Sequence, residues 1–386
     1  MAHILLGWEL GGNSGHVRRL AGLARRLLAQ GHTLTLAVQR PDALRVARDL
    51  EGRVAIRQAP VWPGLWRHGG AQPAGSPASF GDVLGNLGLT DSGVAEYLLR
   101  AWDGLLADAG PALVVGDFAP LLLLAARGRI PRVAVGTGFT VPPADGPSFP
   151  AFVPGTAPRF DEAQLLAVAE RALEHLRWPA LERLPALMGA EAALPGVFDL
   201  LDPYQGRRSE PLLPPFLSRD PGLAGEGDAV FAYLPGLSTG SVAAEALLAA
   251  ARAGLKVGLH APGMADADAA ALAGGGVGLL AQPLPMDAIT RQARVLVCAG
   301  GQGMVSAALA AGLPLVVAPG SIEQELTIAA LARAGLGREL RDASDVVDAA
   351  QDRSAAARAL AARSHSVVTA GAYEDAALRA IGQLLT

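Results

Sequence analysis

Short apolar runs alternate with longer segments of helical periodicity along the chain, and this alternation restricts its fold more than any other feature. Strands that are joined through helices usually lie parallel in one sheet, so the pattern predicts βαβ units. The strands predicted in the first half are His3–Gly7, Thr33–Val38, Val54–Gln58, Ala112–Gly116 and Arg132–Val135. The helices predicted there are Gly15–Gln30, Asp42–Leu50, Val94–Ala109 and one after Pro120. The first half is therefore expected to be a doubly wound α/β domain.

A second alternating series follows a proline-rich stretch at Pro211–Pro221. Its predicted strands are Ala229–Leu234, Leu255–His260, Gly276–Leu280, Ala293–Cys298 and Pro314–Ala318. Its predicted helices are Ser241–Ala253, Ala265–Ala273, Pro285–Gln292, Gly303–Ala311 and Ile322–Ala334, and two more are predicted in the tail, Ala343–Leu385. We expect two Rossmann-like domains, at residues 1–210 and 223–366, with a linker at 211–222 and a last helix at 367–386 that packs back on the first domain.

Composition excludes several functional classes. The chain has 32 Lys+Arg against 36 Asp+Glu and a single lysine, so nothing indicates a nucleic-acid groove. One cysteine, Cys298, excludes an intrachain disulfide and a cysteine-ligated zinc site. No signal peptide is recognisable, and the most apolar stretch, 111–126, is interrupted by Asp117 and Pro120. We expect a cytoplasmic protein that has no transmembrane segment, no metal site and no bound cofactor.

The first candidate site is the loop after the first strand, because parallel sheets bind ligands beyond the carboxyl ends of their strands. The loop has the sequence GGNSGHV, and its residues before the histidine are Gly11, Gly12, Asn13, Ser14 and Gly15. His16 can accept a proton from a hydroxyl, and Asp117, at the end of the fourth strand, can hold the imidazole and stabilise its protonated form. The alternatives are a packed histidine in a glycine-rich turn and an aspartate that caps a helix.

Two further candidate loops lie in the second half. The sequence CAGGQGMV, from Cys298 to Val305, places stacked glycines at a helix N-terminus, where free N–H groups suit a diphosphate. It has neither the Walker motif nor the dinucleotide spacing GxGxxG. One strand later, Glu323 and Gln324 begin a helix and can bind the hydroxyls of a polyol. Ordinary helix capping is the alternative for this pair.

These motifs together resemble the GT-B glycosyltransferases, and within them bacterial UDP-glycosyltransferases and the lipid II N-acetylglucosaminyltransferase. The resemblance covers the whole chain and rests on GGNSGHV, Asp117, LDPY before the linker and CAGGQGMVSAALAAGLPLVVAPGSIEQE. It implies two Rossmann-like domains that face each other across a cleft. The activity implied is an inverting, metal-independent transfer of a sugar, by default from a UDP-sugar, to a hydroxyl of a small-molecule or lipid acceptor.

The resemblance also assigns roles to individual residues. It implies that His16 is the general base and Asp117 its partner. The donor-binding residues that it implies are Ser238, Thr239, Gly300, Gly301, Gln302, Gly303, Glu323 and Gln324. From the residues themselves, we expect the acceptor side at the Gly11–Gly15 loop and at Trp62 and Trp66 in the long connection Pro60–Ser79. Those two rings, together with Phe80 and Phe139, fit an aromatic acceptor pocket and core packing equally well.

The chain departs from the pattern of this family at two places. Ala299 stands where the motif usually has a histidine that donates to the diphosphate, and Arg18-Arg19 stand where many relatives have Asn-Pro. We expect both arginines on a solvated helix face. The Asp266-Ala267-Asp268 sequence has the form of a metal-binding DxD motif, but it lies at a predicted helix start, so we expect capping. A nucleotide-sugar 2-epimerase of the same fold and a degenerate, non-catalytic GT-B subunit remain as alternatives.

Overall fold

The computed structural model describes residues 1–12, 14–67, 76–224, 227–352 and 368–386, without the side chains of Trp66 and Arg67. The chain divides into two units: unit 1 contains Met1–Leu213 with Tyr373–Thr386, and unit 2 contains Pro214–Ala372. Each unit is built on a six-stranded sheet in which the paired strands are parallel. The prediction of two doubly wound, Rossmann-like sheets is confirmed.

Unit 1 has the strand order β3-β2-β1-β4-β5-β6. Its strands are β1 His3–Trp8, β2 Thr33–Val38, β3 Ala55–Gln58, β4 Leu113–Asp117, β5 Arg132–Gly136 and β6 Ala192–Pro195. Its α-helices are α1 Gly15–Ala29, α2 Pro63–Arg67, α3 Phe80–Leu87, α4 Ser92–Ala109, α5 Pro120–Ala126 and α6 Glu162–Leu176. The C-terminal helix, Ala372–Leu384, also belongs to unit 1, except for its first residue, which belongs to unit 2. Short 3-10 segments lie at Pro41–Leu50, Leu184–Met188 and Asp199–Leu201.

Unit 2 has the strand order β12-β11-β10-β7-β8-β9, which is the order of unit 1 repeated six strands later. Its strands are β7 Ala229–Tyr233, β8 Lys256–His260, β9 Gly278–Leu279, β10 Ala293–Cys298, β11 Leu315–Val317 and β12 Gly337–Glu339. Its helices are α7 Val242–Arg252, α8 Asp266–Gly274, α9 Met286–Gln292, α10 Gln302–Ala311, α11 Ile322–Arg333 and α12 Asp345–Gln351. In both units the order reverses beside the first strand, between β1 and β4 and between β7 and β10.

The sequence patterns of α1 and β4 explain how the core of unit 1 forms. Val17, Leu20, Ala24 and Leu27 of α1 are buried and recur every three or four residues, so one face of the helix packs on the sheet. All five residues of β4 are buried, because a doubly wound sheet is covered on both faces. Strand β4 therefore ends with its last residue, Asp117, inside the protein.

Several elements differ from the sequence-based expectation. Pro41–Leu50 is a 3-10 segment in which Ala47 has a non-helical φ of −133°, so it is not a continuous α-helix. Strand β9 keeps two of the five residues predicted for it. The sequence patterns do not predict five elements of the structure: helices α2, α3 and α6 and strands β6 and β12. Helix α3 contains two glycines, which weaken its helical pattern, and each of the two strands has four residues or fewer. Among the described residues, no helix is long and apolar enough to cross a membrane.

Candidate active site

The candidate catalytic residues of unit 1 lie where the strand order reverses. Strands β1 and β4 are neighbours there, and Trp8, the last residue of β1, pairs with Asp117, the last residue of β4. The loop after β1 leads into α1, whose second residue is His16. Connections at such a reversal leave for opposite faces of the sheet and open a crevice, in which doubly wound sheets bind their ligands.

His16 and Asp117 are hydrogen-bonded, with 2.8 Å between Nδ1 and the carboxylate Oδ1. Asp117 is fully buried, and 12% of the His16 side chain is exposed. Burial acts to raise the pKa of Asp117, but the charges of Arg19 and His16 outweigh it, so the pKa lies below its ordinary value. An ionised carboxylate only accepts hydrogen bonds, so Nδ1 donates to it, and in the neutral form of the ring Nε2 has a lone pair available. The pair is therefore arranged as a base with its orienting acid.

Arg19 is part of the same cluster, which corrects the expectation of a solvated helix face for this residue. Its Nη1 donates to the second oxygen of Asp117, Oδ2, at 2.6 Å, and its side chain is buried. Arg18 is exposed, as expected for it. Asp117 does not cap helix α5, whose N-cap residue is Ala119. The carboxylate of Asp117 is instead shared between an imidazole and a guanidinium.

Two aromatic rings and a glycine surround the imidazole of His16. The ring stacks on Trp8, with 5.4 Å between centroids and 15° between planes, and lies 5.9 Å from the ring of Phe118. Gly11 has a φ of +86°, and a Cβ atom placed there would lie 2.5 Å from Nε2 of His16. Glycine at this position therefore permits both the left-handed turn and the close approach of His16 Nε2.

The remaining residues assigned to the acceptor side fall into three groups. Gly12 and Gly15 have no atom within 4 Å of an added Cβ, and the main-chain oxygen of Ser14 accepts a bond from α1. Asn13 and the side chain of Trp66 lie outside the described residues. Trp62 is buried in unit 1. Its place in an acceptor pocket stays a prediction.

Glu9, which the sequence motifs did not single out, is a fully buried carboxyl group in the loop after β1. Its Oε1 accepts the indole N–H groups of Trp62 at 2.8 Å and Trp102 at 3.1 Å. Its Oε2 accepts the main-chain N–H groups of Leu121 and Leu122 in the first turn of α5, at 2.9 and 3.4 Å. Burial raises the pKa of Glu9 to about 7, although each of the four hydrogen bonds lowers it. Glu9 thus connects the candidate catalytic loop to α4, to α5 and to the residue that precedes α2.

A chain of aromatic rings continues from Phe118 into unit 1. The rings are in contact at centroid distances of 5.1 to 6.4 Å and all are buried. The rings are Phe80, Phe118, Phe139, Phe149, Phe152 and Tyr204. For Phe80 and Phe139, which the sequence leaves open between an acceptor pocket and the core, the contacts are those of core packing.

The glycine loop of unit 2 also lies at a strand reversal, between β10 and α10. Gly300 has a φ of +90°, and an added Cβ would lie 2.8 Å from Val317 Cγ1 on β11. Gly301 is the N-cap of α10, and both it and Gly303 have no atom within 4 Å of an added Cβ. The first N–H groups of a helix have no partner within it, so this open turn presents donors and the positive end of the dipole.

Residues after β11 approach the same loop. An added Cβ on Gly300 would lie 3.3 Å from Cβ of Gln324, which is in the first turn of α11. Gln324 Oε1 accepts the N–H of Gly320 at 2.7 Å. Glu323 is half-buried in the same turn. The structure therefore brings these two candidate sugar-binding residues beside the glycine loop.

Gln302 links the two helix starts. Its Nε2 donates to the hydroxyl of Thr327 at 3.0 Å, and that hydroxyl donates to the main-chain oxygen of Glu323 at 2.8 Å. Its Oε1 is a buried atom without a hydrogen-bond partner among the described residues. The carboxamide of Gln302 thus holds α11 beside α10, and its free oxygen is an acceptor only.

The loop after β7 contains Ser238 and Thr239, on the other side of the reversal. Asp268 Oδ1 accepts the N–H of Thr239 at 3.1 Å and its hydroxyl at 2.6 Å. Asp266 and Asp268 both lie in the first turn of α8, as expected, and the carboxylate of Asp268 also holds this loop. The hydroxyl proton of Thr239 is directed to Asp268, and the main-chain oxygen of Ser238 accepts the hydroxyl of Ser241.

Proteins bind metal ions through groups of ligating side chains that lie close together. The described residues contain no group of three or more His, Cys, Asp or Glu side chains that could hold a metal ion. Cys298 is buried before the glycine loop, and burial raises the pKa of its thiol to about 11. Ala299, which follows it, is half-buried and contributes no proton donor from its side chain.

Comparison with known proteins identifies the fold. No family model matches the chain, and no curated protein is found to be related to it. Among solved structures, it is similar to the glycotransferase of kitacinnamycin, with 19% identity over 100% of this chain and 99% of that one and a TM-score of 0.70. The calicheamicin glycosyltransferase CalG4 (20% identity, 100% and 98% coverage, TM-score 0.69) and the spinosyn rhamnosyltransferase SpnG (17%, 99% and 100%, 0.66) are similar throughout as well.

The chain has the GT-B fold. The resemblance drawn from the sequence motifs is confirmed at the level of the fold. In this GT-B chain, unit 1 contains the His16–Asp117–Arg19 cluster at its strand reversal. Unit 2 contains the glycine loop at the equivalent reversal. Each unit thus has one candidate site, at the position where its topology opens a crevice.

Proposed function

We propose that the chain is an inverting, metal-independent glycosyltransferase. The observation that carries this proposal is the 2.8 Å hydrogen bond between His16 and Asp117 at the strand reversal of unit 1. An imidazole whose Nδ1 is held by a buried carboxylate offers Nε2 as a base and gains stability when it is protonated. Such a pair suits the deprotonation of an acceptor hydroxyl.

The reaction follows from this arrangement. Nε2 of His16 takes the proton of the acceptor hydroxyl while its oxygen forms a bond to the anomeric carbon of the donor. The bond from that carbon to the diphosphate breaks on the opposite face, so the configuration inverts and the nucleoside diphosphate leaves with the bonding electrons. Asp117 stabilises the imidazolium that forms. No step of this scheme requires a metal ion or a bound cofactor.

Unit 2 is proposed to bind the donor. The open helix start at Gly301–Gly303 supplies N–H groups and a positive dipole end for the diphosphate. Glu323 and Gln324, in the adjacent helix start, are proposed to bind the hydroxyls of the donor sugar. SpnG and VinC have been crystallised with thymidine diphosphate and dTDP. We therefore propose a pyrimidine nucleoside diphosphate sugar as the donor, with UDP-sugars and TDP-sugars as the two classes to compare.

The acceptor is proposed to be a small molecule or lipid with a hydroxyl group. SpnG has been crystallised with the spinosyn aglycone, which supports a small-molecule acceptor for a chain of this fold. Gly12 and Gly15, in the loop that leads to His16, have no atom within 4 Å of an added Cβ, so this loop has open space beside it. We propose that the acceptor binds on the side of this loop.

The test combines binding and turnover. Thermal unfolding is measured with UDP and TDP, and release of nucleoside diphosphate from UDP- and TDP-sugars is measured with and without a panel of hydroxylated acceptors. We expect stabilisation by at least one nucleotide and acceptor-dependent release. His16→Ala should lower kcat roughly 10²–10⁴-fold, and Asp117→Asn should add little to that loss, because the two residues act as one unit. His175→Ala, at an exposed histidine, is the control and should retain wild-type turnover.

The alternatives give different results in the same assays. Consumption of the donor without an acceptor would replace the proposal with a 2-epimerase. A chain that binds neither nucleotide and releases no diphosphate would be a degenerate subunit, the alternative that Ala299 favours. Equal turnover in wild type and His16→Ala would remove the base from the mechanism.

A further inference from the structure

Arg19 reaches the candidate catalytic pair from the same helix as His16. The two residues are three positions apart on α1, so they lie on the same side of the helix. Arg19 Nη1 lies 2.6 Å from Oδ2 of Asp117, while His16 Nδ1 lies 2.8 Å from Oδ1. Each carboxylate oxygen of Asp117 thus accepts a hydrogen bond from a different side chain.

The charge of Arg19 affects how strongly the pair holds a proton. A buried carboxylate with an imidazole as its one charged partner favours the imidazolium, because protonation of the ring neutralises the carboxylate. Arg19 already neutralises Asp117 with a guanidinium that does not deprotonate in proteins. The guanidinium therefore makes protonation of His16 less favourable than it would be beside Asp117 alone. A neutral imidazole is what a general base requires.

The charged and titratable groups on the surrounding elements include Glu9 in the loop after β1, whose pKa burial raises to about 7. On the C-terminal helix, burial raises the pKa of Tyr373, which keeps the phenol neutral, and burial also raises the pKa of Glu374. Asp375 forms an ion pair with Arg26 of α1. Arg40 donates from Nη1 to the main-chain oxygen of Gly12 and forms an ion pair with Asp42.

The two rings that face the imidazole itself, Trp8 and Phe118, carry no charge. Among the described groups, the guanidinium of Arg19 is therefore the cation in direct contact with the catalytic pair.

We propose that Arg19 is a positioning residue of the transfer reaction, which fixes the second oxygen of Asp117 and offsets its negative charge, so that the carboxylate favours a protonated His16 less than it would without Arg19. This inference rests on the proposed function, in which His16 is the base. The family resemblance gives no role to this position, where many relatives have a proline. The side chain of Arg19 touches neither donor nor acceptor in this role and acts through Asp117.

Three variants separate the charge of Arg19 from its hydrogen bond. Arg19→Gln keeps a donor for Oδ2 and removes the charge, and Arg19→Lys keeps the charge on a shorter group. Arg18→Gln makes the same change at the exposed neighbour and is the matched control. The titration of the His16 ring is followed by NMR in the protein without substrates, and kcat is measured from pH 5 to 9.

We expect the ring titration and the acid limb of the kcat profile to move to higher pH by about one unit or more in Arg19→Gln. On the acid limb, each unit lowers kcat about tenfold, and the loss should largely disappear above the new midpoint. Arg19→Lys should restore most of the shift, and Arg18→Gln should match wild type. A general structural defect would lower kcat at every pH instead.

The two readouts also separate this inference from the proposed function. An unchanged ring titration in Arg19→Gln, or an equal shift in Arg19→Lys, would overturn the role of Arg19 even where glycosyl transfer is found. A shifted titration in a protein that transfers no sugar would support the proton coupling and would overturn the proposed function. The NMR experiment needs no ligand, so neither result depends on finding the acceptor.

Discussion

The buried carboxyl group of Glu9 is expected to make unit 1 more stable at low pH than at neutral pH. Its pKa is about 7 in the folded chain against an ordinary value of 4.5. The folded state therefore binds a proton more tightly than the unfolded state, and this contribution to stability is complete below about pH 4.5 and lost as the pH rises to about 7. At about 1.4 kcal/mol per pH unit, the loss is about 3 kcal/mol.

Glu9→Gln isolates this effect because a carboxamide does not titrate in this range. Every hydrogen-bond partner of Glu9 is an N–H group, from Trp62 and Trp102 on one oxygen and from Leu121 and Leu122 on the other. The amide nitrogen of glutamine must face one of these pairs, so the variant loses about two hydrogen bonds. That loss is the same at every pH. The difference in unfolding free energy, wild type minus variant, should therefore fall by about 3 kcal/mol between pH 4.5 and 8.

Tryptophan fluorescence is a suitable probe for this experiment. All five tryptophans of the chain lie before residue 214, so the indole signal during urea unfolding reports unit 1 and not unit 2. Glu51→Gln, at an exposed glutamate, is the control and should differ from wild type by no more than about 0.5 kcal/mol at either pH.

Two results would contradict the reasoning on Glu9. A difference between wild type and variant that stays constant with pH would mean that the folded carboxyl group binds its proton no more tightly than the unfolded one. A difference that rises with pH would mean that the four N–H donors outweigh burial and that the carboxylate is the favoured form.

Two glycines provide further predictions. Gly11→Ala should lower kcat by roughly 100-fold, because the new methyl group would lie 2.5 Å from Nε2 of His16 at a φ of +86°, whereas Gly12→Ala, with no atom within 4 Å of the added Cβ, should stay near wild type in the same turnover assay. Gly300→Ala should weaken binding of UDP or TDP at least tenfold in calorimetry, because φ is +90° and the methyl group would lie 2.8 Å from Val317 Cγ1; unchanged affinity would separate this loop from donor binding.

The sequence predicts most of the architecture because the relevant signals are local. The buried positions of α1 recur at helical spacing, and the runs that form β1, β2, β4 and β10 are strongly apolar, so most of their boundaries are within one or two residues of those predicted. Loops after these strands were expected to contain the candidate residues, because strand ends define the ligand edge of a parallel sheet. Short elements such as β6 and β12 carry too few residues to show a period.

The sequence by itself thus determined the alternation of strands and helices and the repetition of one topology. It also identified His16 and Asp117 as candidate site residues. The tertiary structure alone decided that Arg19 is buried against Asp117, which is 98 positions away, and that Glu9 binds Trp62 and Trp102, which are 53 and 93 positions away. Helical periodicity shows which side of α1 a residue occupies, but not which group meets it. Whether a charged side chain is solvated or buried depends on partners that are distant in the sequence and that the tertiary fold brings to it.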